Sequence, residues 1–236
     1  MYPEASDEVA RIRKLYNTVY HYDPADYTYT WHPRNRVSLY YRHAQEQALV
    51  TLLNAQQLRL EQMMILDVGC GKGNWLRFLL SLGARPENLH GIDLMAYRIA
   101  EAKTASPASM HYNLGEGQAL PYPTAWFDLV SQFTVYSSVF DVGMQHRMAA
   151  ETLRVLKPGG YVLWYDMRHA HTTTTRGIER KALEDLFPNC AFLALKKLHP
   201  PHAAALARRS NLLITLWTLI PGPRKTHYLA LLQKPQ

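Results

Sequence analysis

Residues 65–76 read ILDVGCGKGNWL. Three glycines, Gly69, Gly71 and Gly73, alternate behind a short apolar run that carries one carboxylate, Asp67. Glycine adopts backbone conformations closed to residues with a Cβ, and it lets a ligand approach the main chain closely. A helix opening just after such a turn aims unbonded N–H groups at whatever sits there. A second carboxylate, Asp93, ends the apolar run NLHGID, 26 residues after Asp67. A third, Glu116, stands beside Gly117 in GEGQALPYP.

Three kinds of ligand compete for the glycine turn. A triphosphate loop needs G-x-x-x-x-G-K-[ST]. Lys72 follows Gly71, but no glycine stands five positions earlier and Gly73 replaces the hydroxyl residue, so this reading fails. A dinucleotide turn needs G-x-G-x-x-G, whereas the spacing here is G-x-G-x-G. A carboxylate at Asp67 is awkward for a pyrophosphate and favourable for a cation. S-adenosylmethionine (SAM) has a sulfonium, an α-ammonium and no phosphate. Asp93 at a strand tip can accept hydrogen bonds from both ribose hydroxyls, although dinucleotide sites use such an acid too. Glu116 could accept one from an adenine amino group.

The elements that must position these groups follow from hydrophobic spacing. Residues 5–18 read as a helix with Ser6 as N-cap and Asp7 and Glu8 in its first turn. Residues 36–56 carry helical apolar spacing. From residue 63 short apolar runs alternate with helical stretches. MMILDV, NLHGIDL, SMHYNL, WFDLVSQF, YVLWYDM, CAFLALKKL and KTHYLALL read as strands. NWLRFLLSLG, AYRIAEAKT, MQHRMAAETLRVL and a segment near 178–186 read as helices, the third stopped by Lys157-Pro158-Gly159-Gly160. This alternation predicts an α/β fold, a doubly wound sheet with helices on both faces. Residues 1–60 are expected to form an N-terminal helical cap or lid and 61–236 the ligand-binding domain. HPPHAAALARRSNLLITLWTLIPGPR (199–224) is long for a hairpin and predicts a helical insertion.

Together ILDVGCGKG, HGIDLM, GEGQALPYP, WFDLVSQF and LRVLKPGGYVLWYD resemble the class I SAM-dependent methyltransferases, in particular the small bacterial type 11 group. They span residues 63–168 in that family's order and spacing. The resemblance implies a Rossmann-like, seven-stranded, mostly parallel sheet. It implies that Asp67, Gly69, Gly71 and Gly73 line the methionyl side and that Asp93 holds the ribose. Leu94 would pack on adenine, Glu116 and Gly117 would flank it, and Gln132 would sit beside the sulfonium. The group usually has Asp where Glu116 stands. LYNTVYHYD also resembles the group's aromatic opening, which makes Tyr16, Tyr20 and Tyr22 lid residues or ordinary packing.

The rest bounds substrate and setting. A chain of 236 residues, 47% hydrophobic, can bury about 70–75% of its unfolded surface in one core. Two cysteines, Cys70 and Cys190, offer no disulfide framework, and the opening residues lack a secretory segment. A cytoplasmic enzyme, monomeric or homodimeric, is expected. The net charge of +7 falls entirely in residues 169–236, with ten basic and three acidic residues. Such a surface attracts anions or is merely solvated. An apolar run beside Arg208 and Arg209 makes 199–224 a pocket cover, a peripheral lipid contact or a packed helix. Transfer to oxygen or nitrogen removes a proton, and Tyr136, Asp166, Arg168, His169 and His171 are the candidates near strand ends, with Tyr20 of the aromatic opening beside them. Asp166-x-x-His169-x-His171 matches no strong metal pattern, so no metal is expected. The main expectation is methylation of a small molecule, a secondary metabolite or glycan precursor, with no stable nucleic acid partner. RNA or protein methylation, or SAM binding without catalysis, are the alternatives.

Overall fold

The computed structural model describes residues 5–20, 25–26, 29–30, 32–169, 174–199, 202–210, 212, 216 and 225–236. β1 (Ile65–Val68) and β2 (Leu89–Asp93) are buried along their whole length, as continuous apolar runs require when both sheet faces are covered. β3 (His111–Leu114) is mostly exposed, which matches its weaker pattern and its edge position. With β4 (Phe127–Phe133), β5 (Leu156–Met167), β6 (Ala191–Leu198) and β7 (His227–Gln233), the described residues form a seven-stranded sheet in the order β3-β2-β1-β4-β5-β7-β6. β1 to β5 are parallel, and β7 runs antiparallel to both β5 and β6. The chain winds outward in one direction from β1 through β2 to β3, and in the other from β4 onward. The crevice at the carboxyl ends of β1 and β4, where the winding reverses, is where ligands bind in open α/β sheets.

The strand period of two splits the core between the faces. Leu66, Val68, Val130, Val162 and Trp164 pack with α1 (Ala5–Thr18), α5 (Val142–Val155) and α6 (Arg180–Leu186). Ile65, Leu129, Leu163 and Tyr165 pack with α2 (Arg36–Ala55), α3 (Asn74–Ser81) and α4 (Ala96–Ala105). Each leucine buried in these layers contributes about 1.5–3 kcal/mol. The two N-terminal helices thus lie on opposite faces: Val9 and Ile12 of α1 in one layer, Leu49, Leu52 and Leu53 of α2 in the other.

One boundary differs from the sequence reading. α1 is helical from Ala5, so Ser6 lies inside it and is not its cap. The preceding helix stops before Lys157–Gly160, as expected, and these residues bulge within β5 between Leu156, paired with Phe127, and Tyr161, paired with Leu129, with Gly159 at φ 72°. The caps that do form are side-chain acceptors. Asn35 Oδ1 takes the Val37 N–H at 2.9 Å to start α2, and Asp141 takes the Met144 N–H at 2.6 Å to start α5. In the 199–224 segment, α7 (Ala203–Arg209) packs against α2. Most of 211–224 lies outside the described residues, as do Tyr22 and His171. No described helix is long and apolar enough to cross a membrane.

Candidate active site

The turn after β1 needs glycine at all three alternate positions. Gly69, Gly71 and Gly73 hold φ at 74°, 53° and 75°, in the left-handed region. The Gly69 and Cys70 N–H groups donate to the Ile92 carbonyl at 2.8 and 3.0 Å, tying the turn to β2. The Gly73 carbonyl accepts the Arg77 N–H at 3.0 Å, which starts α3.

Asp93 ends β2 and anchors the same turn. One carboxylate oxygen accepts the Gly71 N–H at 2.8 Å, the other the Met95 N–H at 2.8 Å. The Leu94 N–H also bears on this carboxylate, and of its roughly four acceptor positions one is left for a further donor. Burial raises the Asp93 pKa against the opposing pull of the Arg98 guanidinium and these N–H groups. Asp67 is buried beneath, on the α3 side, and accepts the Ser131 hydroxyl at 2.7 Å. Burial, with the Asp93 charge adding, pushes its pKa up to about 7.

Above these groups lies a cavity of about 760 Å³, counting the part open to solvent. Gly69, Asp93, Leu94, Glu116 and Gly117 line it, so five of the expected cofactor residues share one space. Ile92, Met95 and Val135 add apolar wall, and Met144 and Met148 of α5 add more. Glu116 is held by the Gln118 amide at 2.9 Å, and Gln118 by Arg147 at 2.9 Å.

α1 closes the cavity with Ile12 and Tyr16. The Tyr16 hydroxyl pairs with Ser138 Oγ at 3.1 Å, and Arg11 donates to the Ser138 carbonyl at 2.5 Å. Glu8 accepts the Phe140 N–H and salt-bridges Arg11 at 2.7 Å. Its pKa is lowered: burial pushes up, but Arg11 and the N–H groups outweigh it. Burial drives the Tyr16 phenol up to about 12. The Arg98 guanidinium lies 4.4 Å from the centre of the Tyr16 ring, a cation–π contact from α4 to α1. Tyr20 stacks behind Tyr16 with ring centroids 5.0 Å apart and does not line the cavity.

Other expected residues lie elsewhere. Gln132 does not line the cavity: it faces α5 and donates to Thr152 Oγ1 at 3.0 Å. Gly71, Gly73 and Asp67 shape the turn without lining the cavity themselves. Tyr136 is fully buried near Trp164 and Phe187. Asp166 is fully buried and accepts the Ser137 and Met167 N–H groups at 3.0 and 2.8 Å. It secures the 3-10 turn Tyr136–Ser138, and burial pushes its pKa up to about 6. His169 is exposed at the end of β5. Tyr20, Tyr136, Asp166, Arg168 and His169, all considered for acid–base work, are therefore outside this cavity, and His171 lies outside the described residues. Sequence reasoning missed Arg98 and Met95. Their signal was position, since a residue in the first turn of the helix after β2 can reach back over Asp93.

The donor set suits SAM. Two carboxylates, Asp93 and Glu116, and a third buried behind them favour a cation, and an apolar wall at Ile92, Leu94 and Met95 suits an aromatic ring. Among the described residues no cluster of His, Cys, Asp and Glu could hold a metal.

Residues 65–160 match the family model described as a methyltransferase domain. A fatty-acid O-methyltransferase from Mycolicibacterium smegmatis is 35% identical over 119 residues, 48% of this chain and 40% of that protein. A demethylmenaquinone methyltransferase from Bacillus licheniformis is 33% identical over 100 residues, 42% of each. The match thus spans less than half the length of these curated relatives. A crystal structure of an S-adenosylmethionine-dependent methyltransferase from Mesorhizobium loti superposes with a TM-score of 0.60 at 19% identity, covering 78% of this chain and 96% of that one. At that identity the likeness shows the fold.

Proposed function

We propose that this chain, which carries a class I SAM-dependent methyltransferase domain, transfers a methyl group to an oxygen or nitrogen of a small-molecule acceptor. One observation carries the reading. Asp93, at the tip of β2, is buried, bonded to the glycine turn, and keeps acceptor capacity for a further donor in the wall of the cavity.

Bound there, SAM would supply an electrophilic methyl group on a positively charged sulfur. The protein's part is to hold and orient. Asp93 would accept a ribose hydroxyl, Glu116 the adenine amino group, and Leu94 would cover the ring face. Tyr16 and Ile12 would cover the bound group from above, Tyr16 held by Ser138 and Arg98. Among the described residues, the titratable side chains lining the cavity are Tyr16, Asp93, Arg98 and Glu116, with no histidine. Catalysis by alignment in a dry site fits this arrangement, because fixing two reactants in line lowers a bimolecular barrier substantially. A small acceptor fits a cavity partly covered by the N-terminal helix, and the two curated relatives are named for a fatty acid and for demethylmenaquinone.

The test is calorimetry with SAM, then incubation with methyl-labelled SAM and separated small-molecule, lipid, RNA and protein fractions. Micromolar binding and label in small molecules or lipids is the expected outcome. Label in RNA or protein instead would transfer the reading to a macromolecular acceptor.

A further inference from the structure

One strained residue in the cavity wall is not accounted for by cofactor binding. Thr134, the residue after β4, holds φ at 55°, in the left-handed region. Its branched Cβ makes that conformation costly, and strain of this kind clusters at functional sites, where surrounding bonds over-determine it. Here the Thr134 N–H donates to the Tyr165 carbonyl of β5 at 2.7 Å, and its hydroxyl donates to the Phe133 carbonyl at 2.7 Å. The next residue then packs against the glycine turn: a Cβ on Gly69 would stand 2.6 Å from Val135 Cγ2. Thr134 is exposed and lines the cavity.

Position separates this residue from the expected cofactor contacts. Asp93, Leu94, Glu116 and Gly117 lie at the ends of β2 and β3, whereas Thr134 follows β4, on the other side of β1. Between them is Gly69, expected on the methionyl side, so a group bound at Thr134 stands beside the end of SAM that carries the sulfonium. Hydrogen bonding decides what that group can be. A carbonyl only accepts, so the proton of the Thr134 hydroxyl is committed to Phe133. Among the described residues its oxygen makes no other hydrogen bond and offers only lone pairs. A carboxylate, an ether or a tertiary amine brings no proton to them. An alcohol or phenol does, but must shed that proton as the methyl group arrives. The described wall holds no histidine, the Tyr16 hydroxyl pairs with Ser138, and Glu116 is held by Gln118. A neutral amine satisfies the lone pairs with an N–H and attacks with its own lone pair, so it needs no base.

We propose that Thr134 receives the methyl acceptor, and that the acceptor is a neutral primary or secondary amine on an apolar body. The proposal rests on the SAM-dependent transfer above. An N–H of the amine donates to Thr134 Oγ1, and Phe133, Val135 and Val139 of the wall lie against the apolar body. The nitrogen lone pair forms the new N–C bond while the S–C bond pair passes to sulfur, leaving a neutral thioether. The positive charge moves from sulfur to nitrogen, so the transfer neither creates nor removes charge in the cavity. The resulting ammonium gives its proton to water where the cavity opens to solvent.

The experiment uses the full chain saturated with S-adenosylhomocysteine and measures, by calorimetry, binding of para-butylaniline, its N,N-dimethyl derivative and para-butylbenzoate. The aniline should bind at least tenfold tighter than the other two. Thr134→Val keeps the branched shape and removes the hydroxyl. It should lose at least tenfold in aniline affinity and leave the N,N-dimethyl derivative and S-adenosylhomocysteine unchanged. Thr134→Ser, which restores the hydroxyl, should stay within about threefold of the native chain. With methyl-labelled SAM near pH 7, para-butylaniline should take up label faster than para-butylphenol. Equal binding of the aniline and its N,N-dimethyl derivative, no aniline binding, or an unchanged Thr134→Val affinity would each overturn the acceptor site. Equal or faster transfer to the phenol would overturn the amine. If Thr134→Val fails to fold, the native chain's preference among the probes and Thr134→Ser still decide. Failure to bind S-adenosylhomocysteine in the native chain would instead remove the cofactor reading.

Discussion

The Gly71 N–H donates to Asp93 across 2.8 Å, so the turn after β1 and the tip of β2 are one hydrogen-bonded unit. The carboxylate that would bind ribose also sets the shape of the turn beneath it. Asp93→Ala should weaken SAM binding at least tenfold, and it should also lower Tm, because the Gly71 and Met95 N–H groups lose their acceptor. Asp93→Asn, which keeps an acceptor for one of them, should recover part of the Tm. Calorimetry and thermal denaturation read the two effects separately, and unchanged affinity in Asp93→Ala would remove the ribose assignment.

Asp67 makes stability depend on pH. Its folded-state pKa of about 7 lies above its ordinary 3.8, so the folded chain holds this proton more tightly than the unfolded one. Below pH 3.8 both states are protonated and the group contributes nothing. As pH rises toward 7 the unfolded state ionises first, and stability falls until both are charged. Asp67→Asn should therefore match the native chain at pH 4 and be more stable by roughly 1–3 kcal/mol at pH 8. Denaturant titration at the two pH values measures this, and a gain equal at both would contradict the burial of a charged carboxylate.

Arg98 latches α1 to the body of the domain. Arg98→Met keeps a long apolar side chain but removes the cation–π contact with Tyr16, worth about 0.5–2 kcal/mol. Stopped-flow release of SAM should be several-fold faster, and limited proteolysis within residues 5–18 should speed up. A native release rate would leave α1 as packing alone.

Gly73 is pressed against Tyr112, whose hydroxyl a Cβ would strike, and its φ of 75° disfavours any side chain. Gly73→Ala should cost about 1–3 kcal/mol. Denaturation with and without SAM should show lower stability in both. Native stability would mean that the turn can relax.

Tyr136→Phe and His169→Ala address groups outside the cavity. Both should retain methyl transfer within about twofold. Tyr136→Phe should also cost little stability, since its buried hydroxyl makes no well-formed hydrogen bond beyond the weak approach of Gln132 and Thr152. A hundredfold loss in either would return it to the catalytic candidates.

The parts legible in the sequence are those governed by backbone constraint and local period. Gly69, Gly71 and Gly73 announce a left-handed turn because few other residues fit one, and NLHGID announces a strand ending in a carboxylate. What stayed hidden depends on which face a residue takes and how far a side chain reaches. Gln132 stands on a strand that ends at the cavity, yet its parity with Val130 turns it toward α5. Asp166 and Tyr136 lie near strand ends, but the 3-10 turn at 136–138 folds them inward. Arg98 and Thr134 act across elements, one back over β2 and the other across to β5, and no spacing rule connects such pairs.

The placement of β7 has a consequence for how the molecule is assembled. β6 joins the sheet through β7 and makes no ladder with β5. During vectorial synthesis, β5 and β6 must therefore wait with open edges until residues 227–233 emerge and slide between them. Such long-range closure is slow, and unpaired edges recruit other chains. The wager the topology makes is that the last strand arrives before a neighbour does, so interrupted translation should yield aggregates rather than a smaller folded domain.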